Sequence, residues 1–383
     1  MTVVLNDLRP VYVVGIGLHR YQFASDTPYV ALGLTAVRAA LEDARLDWPA
    51  VESAYVGRAL LPMAAGRAIL RHLGTTGLPI AHMENASASG STAFRHACFE
   101  VATGLCDVAL ALGVDKPGAA PAGRAESLSG IRNLADFAIS PATHYALLAD
   151  RYAHRHGVAT DDFALVAVKN HRNGAKNPFA QHQKVRSLEE ILGGKKIAGS
   201  FTSLQCTPVG EGAAAVIIAS EAAVKRLGLD TRRAVRVSAS AARSQRVYEP
   251  NVPYDAFLTA ETTAMALQQA RLAPKDLDIV ELHDAFSVEE VEYVEAMGLC
   301  GEGKALSRLK EGAFDIGGAC AVNPSGGLIA MGHPIGPTGV GQVAEIVRQL
   351  RGEAGPRQHA GARRGLAHMV GVGAVCYVHI LET

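Results

Sequence analysis

Four positions combine residue types able to do carbonyl chemistry: Ser87, His283, His333 and His368. Histidine exchanges protons near neutrality, with a reference pKa of about 6.5, and its N–H groups donate to developing negative charge. Two imidazoles converging on one carbonyl oxygen would bind enolate or alkoxide charge, each donor contributing about 2.7–4 kcal/mol in the transition state. His333 has the most specific setting, in the run from Asn323-Pro324-Ser325-Gly326-Gly327 to Gly332-His333-Pro334-Ile335-Gly336-Pro337-Thr338-Gly339. The glycines permit close approach of backbone or ligand. Pro334 biases the histidine's own backbone away from helix, which aims the ring into a cleft.

Ser87 follows a strand-like run from Ile80 and precedes a helix expected over 92–103. Such a turn lies at a helix N-terminus, where free N–H groups and the helix dipole favour an oxyanion. The competing reading of Ser87 is a residue packed at a helix start, since serine is a preferred N-cap, and that of His283 is a structural histidine held by Asp284. His368 stands evenly between core and site. The histidines at 72, 82, 96, 171, 182 and 359 read as structural or surface residues.

The elements that must carry these residues alternate between strand and helix. Strands are expected at 11–17, 54–57, 107–114, 211–220, 234–241, 279–283 and 373–381, with helices at 28–46, 92–103 and 262–270. Thr27 is the expected N-cap of the first helix, with Pro28 at its first position. The stretch 116–200 breaks the rhythm, is richer in Arg, His, Asn and Lys, and contains helices near 142–156 and 161–173; it reads as an insertion. Two α/β series in comparable order suggest an internal duplication, with an N-terminal half over 1–230 and a C-terminal half over 231–383.

The totals exclude several classes. A chain of 383 residues buries a large core in two domains or one duplicated one, and 37 basic against 37 acidic residues give no bulk attraction for nucleic acid or an anionic membrane. An anionic ligand must therefore meet a local site. Lys184, Arg186, Lys195, Arg243 and Arg246 are available for ligand phosphates, although solvated surface charge is the commoner role for each. Six cysteines lie scattered without a C-x-x-C pair, which indicates neither zinc nor a disulfide framework and fits a reducing cytoplasm. No basic-then-apolar leader opens the chain and no apolar run reaches about 18 residues, so export and a membrane span are not expected.

Several motifs in order resemble the thiolase superfamily, and within it the sterol-carrier-protein-type (lipid-transfer) branch. They are Asn85-Ala-Ser-Ala-Ser-Gly-Ser-Thr-Ala, Tyr145-Ala-Leu-Leu-Ala-Asp-Arg-Tyr, Val168-Lys-Asn-His-Arg-Asn, Cys206-Thr-Pro-Val-Gly-Glu-Gly, His283-Asp-Ala-Phe, Asn323-Pro-Ser-Gly-Gly with Gly332-His-Pro, and Gly371-Val-Gly. The resemblance implies an α/β thiolase fold: two duplicated half-domains in a five-layered αβαβα arrangement with an inserted loop domain. It also implies a homodimer, a coenzyme A thioester as substrate and no tightly bound cofactor. The family's reactive cysteine belongs at Ser87, its second cysteine near Val370, and a branch-specific cysteine at Ala285. A serine hydroxyl is a far weaker nucleophile than a thiolate, and the sequence reveals no dedicated base for it.

What the resemblance leaves is an oxyanion site. His283 and His333 match the donors around the thioester carbonyl, and the Ser87 N–H with the turn from Gly371 to Gly373 matches a second donor set. Asn323 joins the substrate-binding candidates, and His333 is assigned first to oxyanion binding and second to proton transfer. Cysteine-free relatives in this branch cleave 3-hydroxyacyl-CoA by retro-aldol chemistry, often with a small OB-fold partner that binds acyl-CoA, and carry tyrosines where this chain has His283 and His333. Three readings stay open: a carbon–carbon lyase, an acyltransferase using Ser87 or an engineered cysteine-to-serine variant of one, and a non-catalytic acyl-CoA-binding subunit.

Overall fold

The computed structural model describes residues 3–118, 140–247, 254–371 and 375–383. The N-terminal series is β1 (Val11–Gln22), α1 (Tyr29–Ala44), β2 (Ser53–Gly57), α2 (Ala65–Leu70), β3 (Ile80–Met83), α3 (Ser89–Thr103) and β4 (Val108–Asp115). The inserted segment carries α4 (Pro141–His156), α5 (Ala164–Gly174), α6 (Leu188–Leu192), β5 (Lys196–Ala198) and β6 (Phe201–Thr202). β7 (Glu211–Ser220) and α7 (Glu221–Arg226) return to the main body. The second series is β8 (Val235–Ser244), α8 (Tyr254–Ala270), β9 (Ile279–Glu281), α9 (Ser287–Ala296), α10 (Ala305–Lys310), β10 (Ala321–Val322), α11 (Gly327–Ala330), α12 (Thr338–Arg351), β11 (Arg364–Gly371) and β12 (Val375–Glu382).

The duplication inferred from pattern is visible in the sheet. The order β3-β2-β4-β7-β1 in one half repeats as β10-β9-β11-β12-β8 in the other. In each run the first two pairings are parallel and the next two antiparallel. The halves join where β1 meets β8 antiparallel, Tyr12 opposite Arg236 and Val13 opposite Val235. β4 and β7 are buried along their whole length, which is why they read as continuous apolar runs rather than alternating ones.

Helices form the remaining layers. α1 packs on β1 and β7, and α8 packs on β8 and β12, while α3 and α12 pack on each other and touch strands of both halves. The stacking is therefore α-β-α-β-α. The two central helices meet through glycines: a Cβ on Gly90 would lie 2.5 Å from the Gly336 carbonyl, and one on Gly339 would lie 2.2 Å from Ser91 Oγ. Only hydrogen at these positions allows the N-terminal ends of α3 and α12 to touch, which places Ser87 and His333 at one point.

Local expectations fail where a tertiary partner competes. Thr27 does not cap α1; Pro28 holds the cap position with no side-chain bond, and the Thr27 hydroxyl accepts from Ser25 Oγ. β1 runs on past residue 17 because β7 pairs with it as far as Gln22. α8 starts at Tyr254 rather than 262, and α3 at Ser89 rather than 92.

Candidate active site

Ser87 lies on the turn between β3 and α3. Ala86 adopts a left-handed backbone (φ 47°), rare for a residue with a Cβ, and the turn is latched by Ser89 Oγ donating to the Ala86 carbonyl (2.6 Å) and accepting from the Asn85 N–H (3.0 Å). Ala88 is the N-cap of α3, so Ser87 does not cap the helix. Its hydroxyl reaches His333 Nε2 at 2.9 Å. Gly371, at the end of β11, packs against this turn; a Cβ there would sit 2.4 Å from the Asn85 carbonyl. Gly373 lies outside the described residues.

His333 is held in one tautomer. Thr338 Oγ1 has a single proton and donates it to the Pro334 carbonyl (2.5 Å), so at 2.8 Å from His333 Nδ1 it accepts the ring N–H. Nε2 is then the unprotonated nitrogen and accepts from Ser87. Burial, and after it the charge of His283, hold the His333 pKa well below its ordinary value, so the neutral ring persists at neutral pH. Two expectations change. The Ser87 hydroxyl does have a base beside it, supplied from 246 residues away, and His333 faces it as an acceptor rather than as an oxyanion donor.

His283 follows β9. Its Nδ1 lies 2.8 Å from Glu289 Oε1, and its ring stands edge-on to His333, centroids 5.5 Å apart at 89°. Nε2 is buried and has no hydrogen-bond partner among the described residues. Asp284 does not hold His283; it accepts from the Leu328 N–H (2.6 Å) and Asn170 Nδ2 (2.7 Å). Glu289, absent from the sequence reading, also accepts from the Phe286 N–H (2.8 Å) and the Tyr293 hydroxyl (3.2 Å). One carboxylate thus orients the imidazole and caps α9. The strand segment at Cys206 runs beside this turn, with the Thr207 N–H donating to the Ala285 carbonyl (2.8 Å).

His368 and Asn323 support the site rather than line it. His368 Nδ1 accepts the His283 backbone N–H (3.4 Å), so Nε2 carries the proton and donates to Thr259 Oγ1 (2.9 Å). Both nitrogens are occupied, burial pushes its pKa well down, and the ring positions His283 without a free lone pair for substrate. Asn323, fully buried with φ 52°, accepts the Leu282 N–H (2.9 Å) and donates to Glu290 Oε2 (2.9 Å). It fixes the backbone just before His283. Beneath it the buried pair Lys169–Glu290 (3.1 Å) closes the network, Lys169 also donating to the Val322 carbonyl (2.6 Å).

Asp115, fully buried, ties the loop after His333 to the first half, accepting the N–H groups of Gly336 (2.8 Å), Ala59 (2.9 Å) and Leu60 (2.8 Å). No thiol stands in for Ser87: burial pushes Cys206 and Cys376 each up to about 12. Four of the five basic residues considered for ligand phosphates are paired with carboxylates, Lys184 and Arg186 with Glu190, and Arg243 and Arg246 with Glu261. Among the described residues there is no group of three or more His, Cys, Asp or Glu able to hold a metal ion, and no helix long and apolar enough to cross a membrane.

Known proteins share this architecture. Residues 14–185 match the thiolase N-terminal domain and residues 239–383 the thiolase C-terminal domain-like family. Sterol carrier protein 2 of Gallus gallus is 38% identical over 97% of this chain and 71% of its own length. Benzoylsuccinyl-CoA thiolase subunit BbsB of Thauera aromatica is 35% identical over 95% of both chains. Among solved structures, the Ltp2-ChsH2(DUF35) aldolase superposes with a TM-score of 0.82 over 98% of each chain at 22% identity, a likeness of fold. With both family domains in order and the duplicated sheet that they form, the chain belongs to the thiolase superfamily of acyl-CoA enzymes.

Proposed function

We propose that this enzyme cleaves a carbon–carbon bond in a 3-hydroxyacyl-CoA by retro-aldol chemistry, without an acyl-enzyme. The observation that carries the reading is the pairing of a serine hydroxyl, not a thiol, with the acceptor nitrogen of His333, near a His283 Nε2 that has no partner among the described residues. An oxyester is a poorer acyl donor than a thioester, so an acyl group moved from coenzyme A to Ser87 would be trapped there instead of passing on.

In the proposed reaction His333 Nε2, through the Ser87 hydroxyl, accepts the proton of the substrate's 3-hydroxyl. The O–H electron pair forms the new C=O bond, the Cα–Cβ pair moves into the thioester as an enolate, and an aldehyde or ketone departs. His283, anchored through Nδ1 on Glu289, turns the Nε2 edge of its ring to the enolate oxygen. Protonation at Cα by the proton held on His333 gives the shortened acyl-CoA and resets the site. Coenzyme A enters as part of the substrate and leaves on the shortened acyl-CoA, and we propose no tightly bound cofactor.

The Ser87–His333 contact favours a second reading, acyl transfer through Ser87, because a hydroxyl donating to a neutral imidazole is the ground state of a serine nucleophile. The test is incubation with a panel of 3-hydroxyacyl-CoAs, scoring carbonyl release and the enzyme's mass. Carbonyl product with an unmodified enzyme supports the lyase; an acyl adduct on Ser87 with no carbonyl product supports the transferase.

We further propose a cytoplasmic homodimer with a small acyl-CoA-binding partner. The dimer is supported by the edge strand β3, whose residues Ile80–Met83 are all half-buried and whose outer side pairs with no strand among the described residues. The partner is supported by the Ltp2-ChsH2(DUF35) aldolase, a two-component protein by its name and alike in fold.

A further inference from the structure

A cavity of about 440 Å³ opens between α4, α8 and α9, in the size range of small-molecule sites. Helix α9 contributes to both places: Glu289 faces His283, and one turn later Glu292 lines the cavity. Glu292 is only 9% exposed, and its Oε2 is buried with no hydrogen-bond partner among the described residues. A buried carboxylate oxygen without a donor is left desolvated and uncompensated, so the site is energetically incomplete as it stands.

Three other charged groups on the wall are engaged. Glu295 accepts from the Tyr152 hydroxyl (2.6 Å) and the Ala305 N–H (2.9 Å), and Arg155 pairs with Glu302 (2.6 Å). The apolar part of the wall is Ala256, Ala260 and Ala296 beside the exposed ring of Phe257. Around Glu292 the charge is mainly negative: Asp255 of α8, itself bonded to His144 (3.0 Å), with Glu289 and Glu295 of α9, against Arg151 and His156 of α4. We propose that this cavity binds a small organic cation, an ammonium group on a short alkyl chain, with the ammonium on Glu292 and the chain along the alanines and Phe257. A bare metal ion does not suit the site, since no set of three ligating side chains surrounds it.

Burial and the neighbouring carboxylates Asp255 and Glu289 push Glu292 up to about 8. Below that value a bound ammonium must expel its proton, so affinity rises with pH, by up to about tenfold per unit, and levels off above about 8. Alkylammonium groups stay charged throughout.

The experiment is isothermal titration calorimetry of the full chain with n-butylammonium chloride and with neutral n-butanol. The proposal expects saturable binding of the cation, at least about tenfold tighter than the alcohol. It expects E292Q to remove that preference and A260F to remove binding of both while Glu292 stays in place, with folding followed by the melting transition. Equal binding of cation and alcohol, a preference that survives E292Q, or no saturable binding of the cation at roughly 10 mM near pH 8 overturns it. The readout is binding, so it stands or falls independently of the lyase reading.

Discussion

Ser87 Oγ and His333 Nε2 stand 2.9 Å apart, with the far nitrogen of the same ring fixed 2.8 Å from Thr338 Oγ1. The threonine decides which face of the imidazole carries the lone pair, because its own proton is committed to the Pro334 carbonyl. A residue five positions from the histidine thus sets the protonation of a group that meets a serine from the other half.

Thr338→Val should release this tautomer lock. The expected result is a fall in kcat of about 10- to 100-fold with a small change in KM, since the substrate's binding surface is retained. Thr338→Ser, which keeps the hydroxyl, should recover most of the loss. Steady-state kinetics on the two variants check it.

The depressed pKa of His333 has a definite sign in two measurements. Activity that needs the neutral ring should persist below about pH 6.5, where an ordinary histidine is half protonated. For stability, the unfolded chain takes up the His333 proton below about 6.5 while the native one refuses it, so this histidine destabilises the fold increasingly as pH falls. Thermal unfolding of wild type against His333→Gln should show the wild type losing ground as pH drops through 6.5 and gaining none above it.

Glu289→Gln removes the carboxylate that anchors His283 Nδ1 while keeping the shape. The expected loss in kcat is on the order of 10²-fold, in line with removing one preorganised electrostatic group, with the melting temperature falling much less than for a cavity mutant. Steady-state kinetics and thermal melting of the variant check it.

Lys169→Met leaves Glu290 buried and unpaired beside Asp284, whose pKa burial and Glu290 already raise. Breaking such a pair costs about 3–5 kcal/mol, so chemical denaturation should report a large loss of stability. The double variant Lys169→Met with Glu290→Gln should recover part of it.

Much of the fold was legible because its signals are local. Buried strands such as β7 read as unbroken apolar runs, and the Ser87 turn announced itself by small residues between a strand and a helix. The partners of the site were less so. Glu289 lies six residues after His283 across a strand-to-helix turn; its one local trace is its position three residues after Phe286, where an acid caps a helix. The base for Ser87 was hidden by 246 residues of separation, and the supporting place of His368 depends on Thr259 and on the His283 N–H, neither near it in sequence.

The central claim is enolate chemistry without an acyl-enzyme, and cleavage of a 3-hydroxyacyl-CoA in D₂O tests it most directly. The account predicts an aldehyde or ketone together with a shortened acyl-CoA carrying one solvent deuterium at its α-carbon, the enzyme's mass unchanged. An enzyme that releases no carbonyl compound from such substrates, with the proposed partner present, and instead accumulates an acyl group on Ser87 would contradict it.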